Sequence, residues 1–212
     1  MKSQVEYKDG LFRHNSVLYE GMVIAPIVVC CDTLRKALIL SLAFVLITVT
    51  SVLIGSLYPR RFPYAVRIIL YALTASAIYI PTALLCEYIS PSTYAALTNM
   101  VLPGQGLVTG AAFLYLPLLS VNSFVVLHSE LHFYRYPRKQ MLGVLLAHAA
   151  GFSLVACLAS FLREIAAHGT VLGFAVDMPL VMSGIAAPWG GFILIGILSA
   201  LHRRAFRSKS EE

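Results

Sequence analysis

The stretch ALILSLAFVLITVTSVLIGSLY, residues 37–58, contains no charged side chain. A helix needs roughly 20 predominantly apolar residues to cross the hydrocarbon core of a bilayer, and this run meets that length. The pattern recurs outward from it. Apolar runs occupy residues 17–31, 37–58, 64–86, 107–127, 141–162 and 180–201. All but the first are long enough to cross. Run one is short and carries Glu20 and Pro26, and run four holds Pro117, Asn122 and Ser123. Both are expected to be broken or re-entrant, since non-helical backbone at membrane depth survives only where protein or a cavity covers it. Turn formers separate the runs: Pro59 and Pro63, then Ser90-Pro91-Ser92, then Pro103-Gly104-Gln105-Gly106.

Composition agrees. Of 212 residues, 58% are hydrophobic and 12% charged, whereas soluble domains carry about 25% charged residues. This excludes disorder, nucleic-acid modules and ordinary soluble enzymes. The expected fold is an all-α membrane protein, a single integral domain over 1–212. The four cysteines form no CxxC pair, and each reads as a small core hydrophobe. Residues 1–13 are polar and mixed in charge, unlike a signal peptide.

The net charge of +6 is unevenly distributed. Lys2, Lys8 and Arg13 precede run one. Arg60, Arg61 and Arg67 follow run two, and Arg135, Arg138 and Lys139 follow run four. Arg203, Arg204, Arg207 and Lys209 close the chain. With six crossings all of these fall on one side, and only Arg35, Lys36 and Arg163 fall on the other. Positive charge concentrates on the cytoplasmic face, so both termini are expected in the cytoplasm, with the chain multi-pass in the cell (inner or cytoplasmic) membrane.

Internal symmetry is also visible. Asn15-Ser16 opens run one and Asn122-Ser123 sits in run four, while Arg35-Lys36 precedes run two and Arg138-Lys139 precedes run five. Two three-span halves, about 11–88 and 107–203, would insert as inverted repeats. Such repeats place functional sites near the midplane, at broken helices.

Several polar residues could carry chemistry. Glu20 reads either as a functional intramembrane carboxylate or as a side chain reaching the cytoplasmic interface. Asn15, Ser16, Asn122 and Ser123 can bond the backbone freed at a helix break, or line an ion path with its carbonyls. Glu130, with His128 and His132 nearby, reads as a solvated interfacial loop. Arg163-Glu164 reads as an interfacial ion pair or helix-end anchor. His148, among alanines and Gly151, reads as an interhelical hydrogen-bond donor at a close crossing. Trp189, between Pro188 and Gly190-Gly191, suggests a bent sixth span.

Three segments carry a resemblance. They are Gly10-Leu11-Phe12-Arg13-His14-Asn15-Ser16 with Ala25-Pro26, Pro117-Leu118-Leu119-Ser120-Val121-Asn122-Ser123 with Glu130, and Gly151-Phe152-Ser153 with Leu162-Arg163-Glu164-Ile165. With its span count, the chain resembles the six-span membrane subunits of the Rnf and Nqr ion-translocating redox complexes, most closely the Rnf E / Nqr D type. The resemblance implies a sister six-span subunit of opposite topology, other membrane and redox subunits as partners, and a role in coupling electron transfer to Na+ or H+ movement. It also implies a [2Fe–2S] cluster shared between the sisters, and a subunit not catalytic alone. The family cysteines would fall at Ala25 and Ser123 in this chain. Ala25 cannot ligate iron, and Ser123 is a poor substitute for a thiolate. Cys30 and Cys31 are the nearest candidates for shifted metal ligands. The alternative reading is a diverged, redox-independent inverted-repeat transporter or membrane scaffold.

Overall fold

A computed structural model describes residues 9–59, 61–100, 108–109, 117, 119, 124–125, 129–131, 133–176 and 181–207. Six α-helices of seven residues or more organise them: α1 (Ile24–Cys30), α2 (Leu34–Gly55), α3 (Tyr64–Ile89), α4 (Pro91–Thr98), α5 (Arg138–His168) and α6 (Pro188–Arg207). Two antiparallel pairs of short strands accompany them: β1 (Asn99–Met100) with β2 (Val108–Thr109), and β3 (Thr170–Val171) with β4 (Phe174–Ala175). Among the described residues three helices, α2, α3 and α5, are long and apolar enough to cross a membrane, with 22, 26 and 31 residues.

Helix α2 packs against both α3 and α5. On α5 the buried positions Met141, Leu145, His148, Phe152, Val155, Ala159 and Arg163 recur at helical spacing and form one face. Ala149, Ala156 and Ala159 are buried on α5 and keep its surface low where the helices approach. Phe44 of α2 stacks on Phe152 with ring centroids 3.8 Å apart. In contrast, α3 presents Ile69, Leu73, Ile80, Leu84 and Tyr88 outward. A helix apolar all round suits lipid as solvent. Pro81 lies inside α3 and removes one backbone donor, a loss tolerated in membrane helices.

Basic segments meet in two pairs. The segments around residues 58 and 134 line one cavity between α2, α3 and α5. His202 bonds the carbonyl of Phe12, and Arg203 donates to that of Tyr19 at 3.1 Å, so the end of α6 meets the N-terminal segment. At the other end of the helices Arg35 donates to the carbonyl of Leu172 at 2.7 Å.

The sixth run departs from a simple bent span. Its bend precedes Trp189: Ser183–Ala186 form a 3-10 turn, and α6 begins at Pro188. Gly190 makes this corner possible, because a Cβ there would lie 2.7 Å from Ile185 Cα and 2.8 Å from the Gly184 carbonyl. Both obstacles are backbone and cannot rotate away. Gly190→Ala is therefore expected to destabilise the protein by about 1–3 kcal/mol, read as a lower thermal midpoint in detergent. Gly196→Ala, which meets nothing within 4 Å, is the matched control and should leave it unchanged.

Candidate functional site

Run one is broken. Turns occupy residues 14–20 and 22–23, and helix begins only at Ile24. Asn15 organises the first turn. It is buried, its Oδ1 accepts from the Val17 and Leu18 amides at 2.9 and 3.2 Å, and its Nδ2 donates to the Leu11 carbonyl at 3.2 Å. A short amide side chain that satisfies local backbone in this way holds a turn against helix. Ser16 is 2% exposed, and its hydroxyl has no partner among the described residues. Glu20 is exposed in the turn. Gly21 and Val23 then adopt left-handed backbone, with φ of 73° and 57°. For β-branched Val23 this conformation costs on the order of 1–3 kcal/mol and needs surrounding structure to enforce it. Pro26 is buried at the third position of α1, where its missing N–H would have had no helical partner.

The enforcing structure comes from α5. Arg163 is 1% exposed. Its Nη1 donates to the carbonyls of Val28 and Cys31 at 2.8 and 2.7 Å, with Ile27 at 3.4 Å. These carbonyls lie at the end of α1 and at its C-cap; that of Ile27 also accepts the Cys31 amide at 3.1 Å, and the guanidinium supplies donors to the others. Its Nε and Nη2 donate to Ile185 and Ala186 at 3.2 and 2.7 Å, just before α6. Ser160 adds a bond to the Cys31 carbonyl at 3.2 Å. Glu164, also buried, faces the other way. Its Oε2 accepts from the Leu34 amide at 2.7 Å and so caps α2, whose N-cap Thr33 makes no side-chain cap bond. Its Oε1 accepts from the Gly173 amide at 3.3 Å, at the turn of the β3–β4 hairpin.

The two side chains therefore bond backbone and not each other. This corrects the reading of Arg163-Glu164 as an interfacial ion pair. The anchor role survives, but in the interior, because neighbouring carbonyls and amides offered these groups better partners than water.

Glu130 also departs from expectation. It is not a solvated loop residue. Its side chain is 12% exposed, pairs with Arg67 at 3.3 Å, and accepts a hydrogen bond from the Tyr71 hydroxyl. Opposite charges near the ends of two different runs were the available signal, and their spatial pairing was not readable from spacing. Tyr134 packs on Tyr71 and donates to the Val52 carbonyl at 3.3 Å. Burial pushes its hydroxyl up to about 12, so it stays protonated at neutral pH. His148 donates from Nδ1 to the Val144 carbonyl of its own helix at 2.9 Å, and its ring packs on Phe124 and Phe133. Pro117 is helical and half-buried. Asn122, Ser123, His128 and His132 lie outside the described residues, so the break expected in run four does too.

Residues 5–103 match the family model described as Rnf-Nqr subunit, membrane protein. Over that stretch the chain is similar to the Rnf-Nqr membrane subunits. It is similar to proteins named as the E subunit of the ion-translocating oxidoreductase complex. The one from Pseudomonas paraeruginosa is 25% identical, over 96% of this chain and 85% of its own length. That from Shewanella baltica is 24% identical over 91% and 83%, and that from Haemophilus ducreyi 21% identical over 91% and 85%.

The residues described near position 25 do not fit the iron–sulfur cluster that the Rnf-Nqr resemblance implies. Ala25 has no donor atom. Cys30 is five residues further along the same helix, which turns it about 140° away and carries it about 7.5 Å along the axis. Cys31 is fully buried between Ser160 and the Arg163 guanidinium that binds its own carbonyl. Among the described residues no group of three or more His, Cys, Asp or Glu is placed to hold a metal.

Arg163→Met should cost about 3 kcal/mol or more, because several buried carbonyls lose their donors. Arg163→Lys should recover part of that, since it keeps the charge but loses the fork. Thermal unfolding of the detergent-solubilised chain measures both. A Met variant as stable as the parent would remove Arg163 from this role.

Proposed function

We propose that this chain is a membrane subunit of an Rnf-type ion-translocating oxidoreductase complex. The observation that carries the reading is the extent of its similarity: relatives named as the E subunit of such a complex match over 91–96% of the chain. The broken first run supports it, because carbonyls and polar side chains at a helix break can meet an ion within the membrane. In this reading the chain makes six crossings as two inverted repeats, with both termini cytoplasmic in the cell membrane. It pairs with a sister six-span subunit of opposite topology and with further membrane and redox subunits. Its contribution is a path and a scaffold for Na+ or H+, and it is not catalytic alone. Asn15, Ser16, Glu20 and Pro26 form the first-run side of that path, and Pro117, Asn122 and Ser123 the fourth-run side.

Ala25 favours a second reading, a redox-independent transporter or scaffold on the same fold. The two separate by genetics and purification. In the first reading, tagged full-length chain co-purifies from native membranes with redox subunits, and deletion abolishes cation movement coupled to electron transfer. A chain that purifies alone, and whose deletion leaves coupled transport unchanged, supports the second. Glu20→Gln in the assembled complex is expected to slow cation movement, and an unchanged rate removes Glu20 from the path.

A further inference from the structure

The cavity between α2, α3 and α5 has a volume of about 140 Å³. That is room for roughly four water volumes, enough for a small polar group. Its lining is unusual for the end of an apolar bundle: Arg67, Arg138, Tyr58, Tyr71, Tyr134 and Tyr136 all contribute. Basic and aromatic side chains at the end of spanning helices belong to the headgroup layer of a bilayer.

The charge balance of the cavity wall is positive. Glu130 is committed to Arg67 and Tyr71. One arginine is thereby neutralised, although its buried Nε has no partner among the described residues. Arg138 remains, exposed at the first position of α5. Pro137 supplies no side-chain cap there, so the first amides of this long helix add partial positive charge at the same wall. A basic pocket between spanning helices is suited to a phosphate-bearing headgroup.

A lipid suits the surroundings better than a free anion. Arg67, Tyr71 and Thr74 form one stripe of α3 on the cavity side. Further round the same helix, Val66, Ile69 and Leu73 are 41%, 58% and 62% exposed and face outward. An acyl chain can lie along that side while its phosphate sits in the cavity. Phe62 and Tyr64 stand exposed at the start of α3.

We propose that this cavity binds the phosphate group of an anionic phospholipid, with the exposed Arg138 as its principal donor and the outward side of α3 as the seat of an acyl chain. The inference goes beyond the function proposed above and does not depend on it.

The test uses the full chain, reconstituted in nanodiscs of phosphatidylcholine with or without phosphatidylglycerol, and lipid retention after detergent extraction read by native mass spectrometry. The parent protein should retain phosphatidylglycerol in preference to phosphatidylcholine. Arg138→Gln, an exposed change that leaves the Arg67–Glu130 pair intact, should weaken that retention about tenfold, as expected for one lost charge-assisted hydrogen bond. Arg204→Gln, exposed on α6 outside the cavity, should leave it unchanged. Equal retention of both lipids, or equal losses in the two variants, would overturn the proposal. So would stabilisation by inorganic phosphate alone, which would assign the cavity to a soluble anion.

Discussion

The structure depends on one buried guanidinium. A helix that ends among buried groups leaves its last carbonyls without helical partners, and each must find a donor within the protein. Arg163 supplies donors to the end of α1 and to the approach to α6 at the same time. Its planar fork lets one side chain serve two chain segments from fixed directions. The left-handed backbone of Val23 lies in the chain between the turn that Asn15 organises and the helix whose end Arg163 holds.

Glu164 makes the arrangement two-sided. It accepts from the first amide of α2 and from the hairpin after α5. The end of α5 is thereby a junction for α1, α2, the hairpin and α6. The opposite end has its own polar cluster, in which Glu130, Arg67 and Tyr71 tie α3 to the segment before α5. Between the two clusters packing is mostly apolar, with small residues and stacked rings, and it also buries Ser41, Thr48 and Ser51 of α2 and His148 of α5. That division suits a lipid solvent, which gives helices little hydrophobic reason to associate and leaves van der Waals fit and hydrogen bonds to do so.

Much of this was legible in the sequence, in proportion to how local its cause was. Residues 37–58 read directly as a spanning helix because length and lack of charge decide that question. The break in run one was legible in Glu20 and Pro26, although the residue that shapes its first turn is Asn15. Counting lysines and arginines grouped the segments around residues 58 and 134, and these two meet in the fold. Arg163 and Glu164 stood out as charges ending an apolar run, but their partners are backbone atoms, and no residue type marks a carbonyl as available. Glu130 was misread for the same reason: Tyr71 is 59 positions away, and only the fold brings it close.

An experimental density map of the full chain in its native membrane assembly tests whether the first run is broken and held by Arg163. Turns are expected over residues 14–23, with the Arg163 side chain inside the bundle and ringed by the carbonyls of residues 27, 28, 31, 185 and 186. A continuous helix through residues 14–31, with Arg163 turned toward the lipid headgroups, would contradict this arrangement.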